Sequence, residues 1–114
     1  MFFILYLSKM NSVINSKKEL IDLIVVHSMR IRSFGVERIG IFGSFVRDEA
    51  KAESDVDFIV EFSPGRKKLI NLIDLGDFLE ELTGRKVELI TLQSLSPYIG
   101  PHIIKTVEYV SFAA

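Results

Sequence analysis

Residues 39–60 read IGIFGSFVRDEAKAESDVDFIV, and the fold turns on how this stretch is parsed. An apolar run stops at Gly43-Ser44, a short charged segment follows, and Asp55-Val56-Asp57 opens a second apolar run. Val36 to Phe42 carries strand-type residues with Gly40 inside, and a glycine-serine pair breaks such a run. The stretch is therefore predicted as a strand, a tight turn, and a second strand. Ser44 is placed to cap a helix of little more than one turn, from Phe45 to Ala50. From Asp55 to Phe62 the alternation is clean, and a strand shows successive side chains on opposite faces. Asp55, Asp57, Ile59 and Glu61 fall on one face. Val56, Phe58, Val60 and Phe62 fall on the other, which is predicted to be the core face.

Working outward, Ser16-Lys17-Lys18-Glu19 has the form of a capping box. Leu20, Leu23, Ile24, Val25 and Val26 continue at near-helical spacing and Gly35 supplies a stop, which predicts one helix of about 17 residues. His27 reads as a surface or packing residue, because no second histidine is near it in sequence. Arg30 and Arg32 lie where positive charge suits the helix dipole. Downstream, Ser63-Pro64-Gly65 signals a turn before the basic run Arg66-Lys67-Lys68. A row of Leu69, Leu72, Ile73 and Leu79, joined by Leu75, Phe78 and Leu82, predicts the apolar side of a helix ending at Gly84. Gly76 in its middle is read as a close helix-to-sheet contact. Lys86 to Thr91, KVELIT, is a third strand. Ser94 to Thr106, with Pro97 and Pro101, reads as a broken or short helix, and Val107 to Phe112 as a last strand. The expected class is α/β (α+β), a small mixed β-sheet with helices mainly on one face. Asp55 and Asp57 would point from the other.

The chain has 114 residues, 48% of them hydrophobic, a formal net charge of -1 and no cysteine. That length supports one core, assigned to residues 16–114 as a single domain. Residues 1–15 form an N-terminal apolar segment. Its start, MFFILYL, is too short to span a bilayer, which takes about 20 apolar residues. It has neither a basic lead nor a small-residue cleavage site. A docking segment, an edge strand and a true start at Met10 all stay open for it. A pI of about 6.1 argues against a surface built to hold a phosphate backbone, so no bulk nucleic-acid binding is expected. Lack of cysteine excludes disulfides and thiolate metal sites. The default expectation is a cytoplasmic protein that contacts no membrane.

Asp55 and Asp57 share a face with Cα atoms about 6.6 Å apart, so their carboxylates can converge on one cation or straddle two. Oxygen-only ligands favour a hard ion such as Mg²⁺, which takes one or two carboxylates together with phosphate oxygens. An isolated Asp-x-Asp is more often a polar strand end facing solvent; its company carries the chemistry. At a strand-to-helix turn, free backbone N–H groups favour an anion, glycine lets a phosphate approach, and the Ser44 hydroxyl adds a donor. Glu88 in KVELIT offers a third carboxylate, as ligand or general base, if its strand neighbours the aspartate strand. Otherwise it faces solvent.

Gly43-Ser44, ten residues, then Asp55-Val56-Asp57 matches the signature of the polymerase-β-like nucleotidyltransferases, and GSFVRDEAKAESDVDFIVEF resembles their minimal, MNT-type branch. The likeness runs from about Lys18 to Val110. It implies Gly43 and Ser44 at a triphosphate, Asp55 and Asp57 as metal ligands, and Glu88 as ligand or base. Arg47 would contact phosphate or partner, or stand as a solvated residue. Two positions depart from the pattern: Asp48, where glycine is usual, and Glu88, where aspartate is common. Asp48 would oppose phosphate if turned inward, but on an exposed helix it is expected to point out. MNT-type proteins resemble antitoxins paired with HEPN-type ribonuclease toxins. The resemblance therefore implies Mg²⁺-dependent transfer of AMP from ATP to a hydroxyl, a tyrosine, of such a toxin. Larger relatives carry an acceptor domain for which this chain has no room, so another molecule or subunit is expected to supply the acceptor; a homo-oligomer stays open. The alternative is a protein of this fold that neutralises its partner by contact alone, a reading motivated by Asp48, Glu88 and the apolar N-terminus. Transfer to a small molecule such as an aminoglycoside is disfavoured by the missing second domain.

Overall fold

The computed structural model describes residues 13–98 and 100–112. The expectations for MFFILYL and Met10 lie outside them. Two helices, α1 (Lys17–Val26) and α2 (Ser28–Ser33), lead into strand β1 (Val36–Phe42). A 3-10 turn (Gly43–Phe45) and an irregular connection follow, then β2 (Val56–Phe62), α3 (Leu69–Thr83) and β3 (Val87–Thr91). A second 3-10 turn (Leu92–Ser94), α4 (Gly100–Thr106) and β4 (Glu108–Val110) complete the order. The four strands form one sheet in the order β3-β2-β1-β4. β1 is antiparallel to both β2 and β4, whereas β2 and β3 run parallel, with α3 as their crossover. This is the expected small mixed sheet.

The core forms where α1, α2 and α3 cover one face of the sheet. Leu20, Ile24 and Ile31 from the first two helices and Leu75 and Leu79 from α3 join Ile39, Ile41, Val56, Phe58, Val60 and Phe62 in one cluster. Each fully buried side chain of this size contributes about 1.5–3 kcal/mol by leaving water. The core face of β2 is the one the alternation predicts. The opposite face is less open than expected, because Ile59 is 0% exposed. A Cβ on Gly40 would meet the side chains of Ile59, Val107 and Tyr109, so the segment entering β4 closes over this part of the sheet. Above it Arg38 stacks on the Tyr109 ring at 3.9 Å and pairs with Glu61.

Several boundaries differ from the sequence pattern. The first helix breaks at His27, whose backbone leaves helical geometry and whose N–H caps α1 on the Leu23 carbonyl. His27 itself packs edge-on against Phe78, a packing role as expected. Only half of the capping box is made. The Glu19 N–H donates to Ser16 Oγ at 3.1 Å, but the Glu19 carboxylate accepts from the Ser16 hydroxyl at 3.3 Å. In α3 the buried row is Leu75, Leu79 and Leu82, while Leu69 and Ile73 are exposed. Gly76 faces Leu89, but a Cβ there would sit 3.8 Å from it, an ordinary contact, so no tight approach demands glycine. The last strand is shorter than Val107 to Phe112. No helix among the described residues is long and apolar enough to cross a membrane.

Candidate active site

β1 and β2 place the sequence motif at one end of the sheet. Phe42, the last residue of β1, is opposite Asp57, and Gly43 turns the chain immediately beyond it. The backbone at Gly43 takes φ +77°, a left-handed conformation that suits glycine. A Cβ at this position would also overlap the Asp57 carboxylate. The turn therefore lies directly against the carboxylate, and both the conformation and the contact require glycine. The predicted helix from Phe45 to Ala50 is absent. Instead Gly43–Phe45 forms a single 3-10 turn that starts two residues earlier, with Phe42 in the cap position and no side-chain cap. The Ser44 carbonyl accepts from the Glu49 N–H at 2.9 Å, which closes the following turn.

Parallel pairing puts Glu88 directly beside Asp57, strands about 4.8 Å apart and side chains on the same face. This is the neighbourhood that the third carboxylate needed. Asp57 is half-buried while Asp55 and Glu88 are exposed. Burial pushes the Asp57 carboxyl from its ordinary 3.8 up to about 6. The Glu88 charge and a hydrogen bond to Glu88 add to this, as does Asp55, and Arg47 opposes it. Arg47 is thus within electrostatic reach of Asp57, although its side chain is exposed and its Nε donates to Glu49 at 3.3 Å. Among the described residues, no three acidic or histidine side chains gather into a ready cation cage. Asp57 and Glu88 form a pair, with Asp55 flanking.

The two departures from the family pattern are accommodated differently. Asp48 has φ +56°, one of the few non-glycine types that tolerate it. Its Oδ1 accepts from the Lys17 N–H at 3.0 Å, so the charge serves the N-terminus of α1 and does not face the turn. Lys17 in turn pairs with Glu108 of β4 at 2.7 Å. Glu88 stands at the register position expected of a third acid. Sequence reading missed one residue, Arg85. Its side chain is buried and holds the connection between the turn and Asp55. An arginine between a helix stop and a strand reads as surface, and no local signal distinguishes this one.

A carboxylate pair beside a glycine turn, at the end of a mixed four-stranded sheet, is an arrangement that suits a nucleotidyltransferase. Residues 27–111 match the nucleotidyltransferase domain family. The chain is 39% identical over 94 residues to protein adenylyltransferase MntA of Thermococcus cleftensis, covering 82% of this chain and 94% of the relative. A candidate minimal nucleotidyltransferase of known structure superposes with TM-score 0.71 at 27% identity, over 82% of this chain and 94% of the other. A toxin–antitoxin structure with AMP-PNP shares the fold at TM-score 0.62 and 18% identity, over 77% of this chain and 73% of that one. So does a complex of a tri-AMPylated Shewanella oneidensis HEPN toxin with an MNT antitoxin, at TM-score 0.58 and 18% identity, over 82% of this chain and 73% of that one. The chain belongs to the nucleotidyltransferase family, in the minimal MNT branch that contains the protein adenylyltransferases.

Proposed function

We propose that this enzyme transfers AMP from ATP to a hydroxyl, a tyrosine, of a HEPN-type toxin partner and thereby acts as its antitoxin. The observation that carries the reading is the contact of Gly43 with Asp57 beside Glu88, which joins a phosphate turn to a carboxylate pair. Its relatives' names supply the rest: one is a protein adenylyltransferase, and more distant members of the fold were solved with AMP-PNP or with an AMPylated HEPN toxin.

In this reading the backbone N–H groups of the Gly43-Ser44 turn and the Ser44 hydroxyl hold the triphosphate, and Arg47 adds positive charge at its edge. Asp57 and Asp55, with Glu88, would hold Mg²⁺. The fit is chemical: Asp57 and Glu88 repel each other unless a proton or a cation stands between them, and one or two carboxylates with phosphate oxygens suit this ion. When bound, the ion offsets charge on the phosphates. The acceptor oxygen attacks the α-phosphorus, its bond to the β-phosphate oxygen breaks, and pyrophosphate leaves. Glu88, exposed at the edge strand, takes the acceptor's proton.

The test is to incubate the chain with α-labelled ATP, Mg²⁺ and the product of the neighbouring gene, which this reading expects to be a HEPN-type protein. Label should appear on a partner tyrosine and disappear with Asp57→Asn. Labelling that persists in Asp57→Asn would refute the assignment. Full neutralisation by an Asp55→Asn, Asp57→Asn double variant would favour binding alone. That alternative has lost one of its grounds, since Asp48 is occupied at α1.

A further inference from the structure

Arg85 follows the Gly84 cap of α3 and precedes β3, yet its side chain is only 7% exposed. Its guanidinium makes contacts in three directions. Nε donates to the Ile14 carbonyl at 2.7 Å and Nη2 to Asn15 Oδ1 at 3.1 Å. Nη1 donates to the carbonyls of Lys51, Ala52 and Ser54 at 2.9, 3.2 and 2.9 Å. Its flat face lies over the Phe45 ring, 5.1 Å from Cζ to the centroid. Every hydrogen-bond partner is a neutral oxygen, and no carboxylate pairs with it among the described residues. A buried cation satisfied only by main-chain and amide oxygens is rare enough to need a reason.

Its contacts fall on both ends of one connection. Phe45 is the third residue of the Gly43-Ser44-Phe45 turn and is 1% exposed beneath it. Lys51, Ala52 and Ser54 lead directly into Asp55. Arg85 itself lies three positions before Glu88, and the next residue, Lys86, accepts from the Val56 N–H at 2.9 Å to start the β2–β3 pairing. One rigid, forked group thus spans the turn, the approach to Asp55 and the start of the Glu88 strand. Lysine has the charge but only three donors on a single point, and cannot reach these directions at once.

We propose that Arg85 is a positioning residue for the transfer reaction. Its guanidinium fixes the spacing between the Gly43-Ser44 turn and the Asp55-Asp57 strand, and so the alignment of the nucleotide's phosphates with the carboxylates. The proposal rests on the reading of the site given above. Small misplacements of reacting groups cost large factors in rate, which is why a residue that touches no substrate can matter to this degree.

The experiment compares wild type with Arg85→Lys, and with Arg85→Ala with and without added methylguanidinium. All are measured well below each protein's melting temperature, where all are folded. Expected are at least a tenfold loss of ATP affinity or kcat/KM in both variants, and partial recovery of Arg85→Ala with methylguanidinium. Amide hydrogen exchange should also quicken over residues 43–54, with no change in β1 or α3. A purely structural arginine would lower the melting temperature and quicken this exchange but leave ATP affinity and kcat/KM at wild-type values, which would overturn the proposal. Should neither Arg85 variant fold, Phe45→Leu removes the stacked ring and keeps the core filled; wild-type ATP affinity and kcat/KM in that variant would then overturn it. If wild type neither binds nor uses ATP, the proposed function itself fails; if wild type does and the Arg85 variants keep its ATP affinity and kcat/KM, only the positioning role fails.

Discussion

Gly43 and Asp57 define the site at the scale of single residues. Replacing Gly43 with alanine would force a Cβ into the Asp57 carboxylate and strain a left-handed backbone. Gly43→Ala should abolish transfer and cost about 1–3 kcal/mol of stability, read by denaturant unfolding. Asp57 carries a different liability. With its carboxyl raised from 3.8 to about 6, chiefly by burial and then by Glu88, the folded chain keeps a proton that the unfolded chain has released. In metal-free protein this contribution to stability is therefore present at low pH, falls as pH rises through about 4 to 6, and is gone above that window. Asp57→Asn removes the effect. In urea titrations with a chelator, the variant should match wild type near pH 4 and exceed it at pH 7, by an amount that solvent at this half-buried group keeps modest. Equal stability at both pH values would contradict the assigned cause.

Two elements make predictions of their own. At Asp48, a left-handed backbone and a cap on α1 combine in one residue. Asp48→Gly should lose the cap alone, about 1 kcal/mol, whereas Asp48→Ala should lose about 2 by adding backbone strain. The left-handed backbone suits glycine, and the cap on α1 makes aspartate a workable residue there. In α3, Gly76→Ala should raise stability by up to about 1 kcal/mol, since the helix gains propensity and Leu89 is at ordinary contact distance. A loss in thermal unfolding would restore the idea of a tight contact. Periodicity located α3 and most of its buried face, and overextended that face by two residues. Leu69 and Ile73 belong to the apolar row in sequence, but the face that packs on the core runs through Leu72, Leu75, Leu79 and Leu82 and leaves those two exposed. The break at His27 was illegible for another reason: neither glycine nor proline marks it.

At the scale of the molecule, the order of elements and the core face of β2 were readable because both follow from local patterns of two and 3.6 residues. Strand order was not readable. The role expected of Glu88 depended on its strand lying beside the aspartate strand, and the parallel pairing of β3 with β2 that meets this condition is encoded in no local pattern. Arg85 was hidden more deeply, because its partners are main-chain carbonyls that every residue type possesses. One sheet with one continuous core should melt as a unit, so calorimetric and van't Hoff enthalpies should agree, and two resolved transitions would contradict that. Asp57 and Glu88 are 31 positions apart in the chain, on strands that no hairpin can join. During synthesis, the turn and both aspartates leave the ribosome long before their partner carboxylate, and non-local pairing of this kind forms late. A chain made only as far as β2 therefore lacks the second carboxylate of the proposed site, and gains it in one step when β3 docks.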